Sequence, residues 1–357
     1  PALFNGTECV ASYGVFWANA RAVAGWLEAQ GTKPGDRVAI FMKNIPDYLT
    51  VFYGIWATGA AVVPINAKLH GREAAFILEN SEAQVVFTTD ELAESLTEAR
   101  APGRVVLVPG KDFEKIRSHA PVPEVRHRAP EDLAWLFYTS GTTGKPKGVI
   151  ITHRMLAAMS LCYTIDVDRV AAEDSTLYAA PMSHAAGIYN MLFTLRAGRH
   201  VCPPSGGFDA DEILGLSAAH GRVSMFMAPT MLRRFTDRAK ALGDRADGIR
   251  TICYAGGPMY MADIEEAVDW FGPKFVQVYG QGECPMSITA LSRADIADRS
   301  HPRWRERLAS VGRAQSTVEL RIGDAEGRFL PAGAVSYTHL TLPTTCTPCR
   351  SRGSPDH

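Results

Sequence analysis

Short apolar runs, separated by longer stretches with helical spacing, constrain this chain more than any other feature. Residues 15–30 place Phe16, Ala20, Val23 and Leu27 on one helical face, and Gly31 stands where such a helix would stop. The turn Pro34-Gly35-Asp36 leads into an apolar strand over 37–42. A helix over 46–58, a strand over 60–64, a helix over 74–80 and a strand over 84–88 follow. The order resumes with strands over 133–137, 175–180, 199–202, 223–227, 251–255 and 275–279. Helices over 151–161, 188–195, 209–220, 229–235 and 263–270 lie between them. Alternation of this kind predicts an α/β chain whose parallel sheets are covered by helices on both faces. Ligands in such sheets lie beyond the carboxyl ends of the strands.

One segment interrupts that order. Residues 138–149 read YTSGTTGKPKGV and follow the apolar run 133–137. Gly141, Gly144 and Gly148 let the backbone turn sharply and approach a ligand, so successive N–H groups can converge on an anion. Ser140, Thr142 and Thr143 add hydroxyl donors, and Lys145 and Lys147 add compact positive charge. The chemistry is that of a phosphate-gripping loop. It differs from the common G-x-x-x-x-G-K-[ST] loop because Pro146, which has no amide hydrogen, follows Lys145.

These twelve residues resemble the phosphate loop of the adenylate-forming superfamily: acyl-CoA synthetases, luciferases and peptide-synthetase adenylation domains. GDRVAIFMKN and GAAVVPINAKL, earlier in the chain, resemble the opening of acyl-CoA synthetases. The resemblance implies the large domain of such an enzyme, with parallel, helix-covered sheets and the start of a small β-rich subdomain. It implies ATP-dependent activation of a carboxylic acid to an acyl-adenylate, then transfer to CoA, with magnesium. Residues 139–147 (Thr139, Ser140, Gly141, Thr142, Thr143, Gly144, Lys145 and Lys147 among them) would hold the phosphates.

Three later segments fit the same resemblance. APMSHAAG looks like the family stretch in which a histidine or aromatic closes over the acyl pocket, which makes His184 a candidate gate and leaves room at Gly187. Tyr254-Ala255 precede Gly256, Gly257 and Pro258, where two residues without Cβ let a flat adenine lie against the backbone. Tyr279, Gly280, Gln281, Gly282 and Glu283 resemble Tyr-Gly-x-Thr-Glu, in which the tyrosine stacks on adenine and the glutamate helps bind magnesium. Magnesium takes one or two carboxylates beside substrate phosphates, so Glu283 suits that role chemically. Gly282 departs from the pattern and removes a hydroxyl expected near the α-phosphate. Thr143, Lys147, His184 and Glu283 are thus the expected catalytic residues. Met182, Ile188, Met225, Met227 and Met286 are candidates for an apolar acyl pocket and are equally ordinary core residues. No acidic residue stands out to hold an ammonium, so a hydrophobic acid, fatty or aryl, is the expected substrate. A carrier protein in place of CoA, or a module that binds nucleotide or acyl groups without catalysis, are the alternatives.

Composition adds bounds. A net charge of -1 in 357 residues gives no reason to expect nucleic-acid binding or an anionic membrane. No apolar run reaches the roughly 18 residues of a membrane span. Seven scattered cysteines suggest reduced thiols in a cytoplasmic protein. The chain opens on Pro1 and reads as a fragment without its first residues. Residues 320–334 look like the start of the family's β-rich region, so 1–334 is expected to be the truncated large domain. Residues 335–357, rich in Thr, Pro, Ser and Cys, break the resemblance. Written back into codons, 335–344 can be spelled to resemble a transposon-end adapter used in sequencing libraries, so this tail is expected to be non-native, with a natural linker as the alternative. Cys346 and Cys349 are then neither a redox pair nor half a zinc site. The family's ribose-binding aspartate and the lysine of its small C-terminal domain have no counterpart in this sequence.

Overall fold

A computed structural model describes residues 1–139, 146–324 and 328–331. In chain order, its strands begin with β1 (Leu3–Asn5), β2 (Glu8–Ala11), β3 (Arg37–Phe41), β4 (Ala61–Pro64), β5 (Val85–Thr88) and β6 (Arg104–Leu107). Next come β7 (Leu133–Thr139), β8 (Lys147–Thr152), β9 (Ser175–Leu177), β10 (Arg199–Cys202) and β11 (Val223–Met227). The last are β12 (Ile249–Tyr254), β13 (Phe275–Gln281), β14 (Cys284–Leu291) and β15 (Arg313–Ala314). Among the described residues they form a six-stranded sheet, β6-β5-β3-β4-β7-β8, and a nine-stranded sheet, β15-β14-β13-β12-β11-β9-β10-β1-β2.

The interiors of both sheets are parallel, as the strand–helix alternation requires. Three of the four margins are antiparallel, β7–β8, β13–β14–β15 and β1–β2, while β6 closes the other edge of the six-stranded sheet in parallel. Val38, Ala39, Ile40 and Phe41 in β3 are all buried, because helices cover both faces of the six-stranded sheet. The helices Tyr13–Ala29 and Asp47–Ala57 pack against each other on one side. They approach closely at Gly54, where a Cβ would stand 2.7 Å from the Val23 side chain.

Two differences from the sequence reading have one cause. The expected helix over 151–161 begins at His153, and residues up to Thr152 belong to β8. There Val149 and Ile151 are buried and face Phe137 and Trp135 of β7, which is the period of a strand. Likewise β13 continues through Gln281 and turns directly into β14. Antiparallel partners that follow closely in sequence lack the separating helix on which the alternation argument rests. The helices Asp90–Glu98 and Lys111–Arg117, with β6 between them, also went unread.

One polar residue ties the sheets together. Asn44, just beyond β3, is buried and donates through Nδ2 to the carbonyls of Tyr178 (2.7 Å) and Ala180 (2.8 Å). Its Oδ1 accepts from the Met182 N–H at 2.9 Å. The expected strand over 175–180 therefore stops at Leu177, and the chain beyond it is held by a side chain from the other sheet.

A second buried polar group makes stability depend on pH. His200 in β10 is 1% exposed, with Nδ1 2.7 Å from the Tyr178 hydroxyl and Nε2 3.1 Å from that of Tyr13. Burial pushes its imidazole down from 6.5 to about 3. The unfolded ring takes a proton below about 6.5 and the folded ring only near 3. Its contribution is therefore complete above 6.5 and is lost as pH falls towards 3, by up to about 1.4 kcal/mol per pH unit. Urea unfolding between about pH 7 and pH 4 should show this slope, and His200→Gln should flatten it. An identical acid slope in the variant would remove His200 from the account.

Candidate nucleotide and carboxylate site

Residues at the carboxyl ends of strands from both sheets meet: Gly282 against Thr139 and Phe137, and His184 against Phe137 and Asn66. In the six-stranded sheet, β7 ends at Thr139, whose partner across the hairpin is Lys147, the first residue of β8. The strand pairing fixes both stems of the expected phosphate loop. Ser140, Gly141, Thr142, Thr143, Gly144 and Lys145 lie outside the described residues, as do residues 335–357. Lys147 is exposed. Tyr138 donates to Asn80 Oδ1 at 2.7 Å, and burial pushes its phenol up to about 12, with Arg37 opposing.

From the nine-stranded sheet comes the hairpin of β13 and β14. Gln281 pairs with Cys284, so Gly282 and Glu283 form a two-residue turn, and the strand expected over 275–279 runs on to Gln281. The register shifts between Tyr279 and Gln281, a bulge that re-aims the end of the strand. Gly280 lies flat against β14: a Cβ would collide with the Met286 backbone nitrogen and stand 2.6 Å from the Cys284 carbonyl oxygen. Met286 pays for this approach with a left-handed backbone, φ 62°, unusual for so large a residue. Gln281 Nε2 donates to the Tyr279 hydroxyl at 3.2 Å.

The two hairpins meet at Gly282. A Cβ there would press into the methyl of Thr139 and stand 3.6 Å from the Phe137 ring. This contact gives the absent threonine a local reason, since the space beside residue 282 is taken by Thr139. It also sets Glu283 next to the residue that touches Thr139, a stem of the expected phosphate loop. Glu283 is half-buried, and among the described residues no cation or hydrogen-bond donor engages its carboxylate. No cluster of three metal-ligating side chains occurs among the described residues. A single carboxylate without a partner among the described residues, close to Thr139 at one stem of the expected phosphate loop, would suit magnesium, which takes one or two carboxylates beside phosphate oxygens and water.

Gly256, Gly257 and Pro258 follow β12 directly and are exposed. Gly256 has φ +85°, which glycine adopts without strain, and the Phe226 ring lies 3.6 Å from the position of its missing Cβ.

His184 follows β9 and stands in the wall of the same region. Its ring meets Phe137 edge to face at 5.9 Å, and its Nε2 is 3.2 Å from Asn66 Nδ2. His184 is solvent-exposed, and partial desolvation by the surrounding chain lowers its pKa from 6.5. The Ser183 backbone opposes that shift and Lys68 adds to it.

Two expectations need correction. Gly187 leaves no room for an acyl chain, because a Cβ there would run into the Met182 carbonyl of its own turn. The five candidate pocket residues do not share one pocket: Met182 packs with β3 and its helices, and Met225 and Met227 with the opposite core. Ile188 and Met286 do share a crevice, with Met159, Tyr163 and Leu192. Asn44 and Asn66 are the residues that sequence reasoning missed. Each occupies a turn, where asparagine is unremarkable, and neither stands near its partner in the chain.

The profile of a family described as AMP-binding enzyme matches residues 1–337. The chain belongs to that family. Among curated relatives, this AMP-binding family member is 31% identical over 312 residues to feruloyl-CoA synthase of Amycolatopsis, covering 87% of the chain and 60% of the relative. It is 28% identical over 334 residues to fatty acid–[acyl-carrier-protein] ligase ScoC of Streptomyces coeruleorubidus, covering 90% and 62%. The N-terminal domain of FACL13 from Mycobacterium tuberculosis, solved with an inhibitor, superposes with a TM-score of 0.80 at 27% identity. That match covers 92% of the chain and 82% of the solved domain. The chain spans about 60% of the length of the curated relatives it matches. Among the described residues no helix is long and apolar enough to cross a membrane.

Proposed function

We propose that this chain is the nucleotide- and acid-binding part of an acid–thiol ligase that activates a hydrophobic carboxylic acid with ATP. The observation that carries the reading is the seating of the Gly282 and Glu283 turn on Thr139, which joins a phosphate loop to an uncommitted carboxylate. Residues 139–147, with Thr143 and Lys147 foremost, would hold the phosphates, while Tyr279, Gly256 and Gly257 would hold adenine. Glu283 would hold magnesium, which when bound neutralises charge on the phosphate oxygens.

In the reaction a carboxylate oxygen of the acid attacks the α-phosphorus, and the bond to pyrophosphate breaks. The protein's part is positioning and electrostatic stabilisation of charge on phosphorus. Tyr279 and the glycine shelf fix the base, and the loop stems at Thr139 and Lys147 fix the phosphates relative to it. His184, held against Phe137, stands as the gate between nucleotide and acid. The relatives named for feruloyl and fatty acids support an uncharged acid tail. The thiol that accepts the acyl group is CoA or a pantetheinylated carrier protein, each represented among those names.

The test is carboxylate-dependent ATP–pyrophosphate exchange over a panel of fatty, aryl and amino acids. It uses the chain alone and joined to the small C-terminal domain of a related ligase, followed by thioester assays with CoA and with a carrier protein. Fatty or aryl acids should give the highest exchange rates. A panel led by amino acids would reverse the assignment.

A further inference from the structure

We propose that Asn66 is a positioning residue for His184, holding its ring in the Nδ1–H tautomer against Phe137. The proposal rests on the reading of His184 as the gate and names the group that sets it. Asn66 follows β4 in the six-stranded sheet, and His184 follows β9 in the nine-stranded sheet. Their contact therefore spans the cleft between the sheets.

The direction of the hydrogen bond follows from the other end of the amide. Asn66 Oδ1 accepts from the Lys68 N–H at 3.0 Å, and the Asn66 carbonyl accepts from the Leu69 N–H at 2.9 Å. This Asx-type turn commits the oxygen, so Nδ2 faces the imidazole at 3.2 Å. A donor at that distance requires Nε2 to be the unprotonated nitrogen, which leaves the hydrogen on Nδ1. Partial desolvation and the nearby Lys68 disfavour the charged ring, in keeping with the same state. Phe137 blocks the ring on one side, edge to face at 81°. The turn that carries His184 is fixed separately, by His184 N–H to the Pro181 carbonyl (3.1 Å) and by Asn44 on Met182. Asn44 thus sets the loop and Asn66 sets the ring.

The two nitrogens of a neutral imidazole have well-separated nitrogen-15 shifts, so the tautomer can be read in the whole chain without turnover. His184→Gln identifies the signal by deleting it. In the wild type His184 should show the Nδ1–H pattern at neutral pH. Asn66→Asp should convert it to the Nε2–H or doubly protonated form, because the carboxylate accepts where the amide donated, and Asn66→Ala should leave a mixture. A wild-type Nε2–H pattern, or a His184 signal indifferent to both substitutions, would overturn the proposal, and the first result needs no variant to fold. Titration of each protein with dodecanoate separates this claim from the gate itself. Weaker binding in the variants supports both. A switched tautomer with unchanged dodecanoate affinity supports the Asn66 contact and overturns His184 as gate.

Discussion

Glu283→Gln should reduce carboxylate-dependent ATP–pyrophosphate exchange by on the order of a hundredfold to a thousandfold, at saturating magnesium, while leaving the fold intact. Charge stabilisation by a bound metal is worth several kcal/mol, and about 1.4 kcal/mol corresponds to a factor of ten in rate. Glutamine keeps the shape of the side chain and loses only its charge. In the described structure that charge supports no ion pair or hydrogen bond, so its removal should not disturb the β13–β14 turn. The melting temperature should therefore stay within about 1 °C of the parent, as for an ordinary surface substitution. Exchange at the parental rate would mean that Glu283 is only a solvated turn residue.

The second large effect belongs to Asn44. Asn44→Ala would leave the Tyr178 and Ala180 carbonyls and the Met182 N–H buried without partners. Each such group costs about 1–3 kcal/mol, so the expected loss is about 3 kcal/mol or more. In a protein of this size that lowers the melting temperature by on the order of 10 °C. Exchange should fall as well, because the turn carrying His184 loses its anchor to the six-stranded sheet. Asn44→Asp sharpens the test, since it keeps the acceptor for Met182 and removes both donated bonds. Thermal unfolding within about 1 °C of the parent would show that water or a rearranged turn replaces the clamp.

What could be read without the structure follows from how local each signal was. Buried parallel strands such as Val38–Ala39–Ile40 and Val62–Val63 announce themselves as continuous apolar runs between helices. The antiparallel margins did not: β8 merged with the helix after it, and β14 disappeared behind a two-residue turn. The YGQGE segment was legible as a set of residues, but its hairpin geometry depends on Cys284 and Met286, outside the segment. The reason for Gly282 lies in Thr139, more than a hundred residues away. Gly187 shows the opposite failure, a glycine read as room for a ligand that serves the closure of its own turn. The methionines were ambiguous in sequence because a thioether suits a pocket and a core equally, and the structure divides them among separate cores.

The central claim is that the β7–β8 and β13–β14 hairpins form one nucleotide site. A crystal structure of the chain with ATP and magnesium tests it most directly. The account predicts adenine between Tyr279 and the Gly256 and Gly257 shelf, phosphates against residues 139–147, and the Glu283 carboxylate on the ion. Nucleotide bound elsewhere, or bound there with Glu283 turned away from the phosphates, would contradict it.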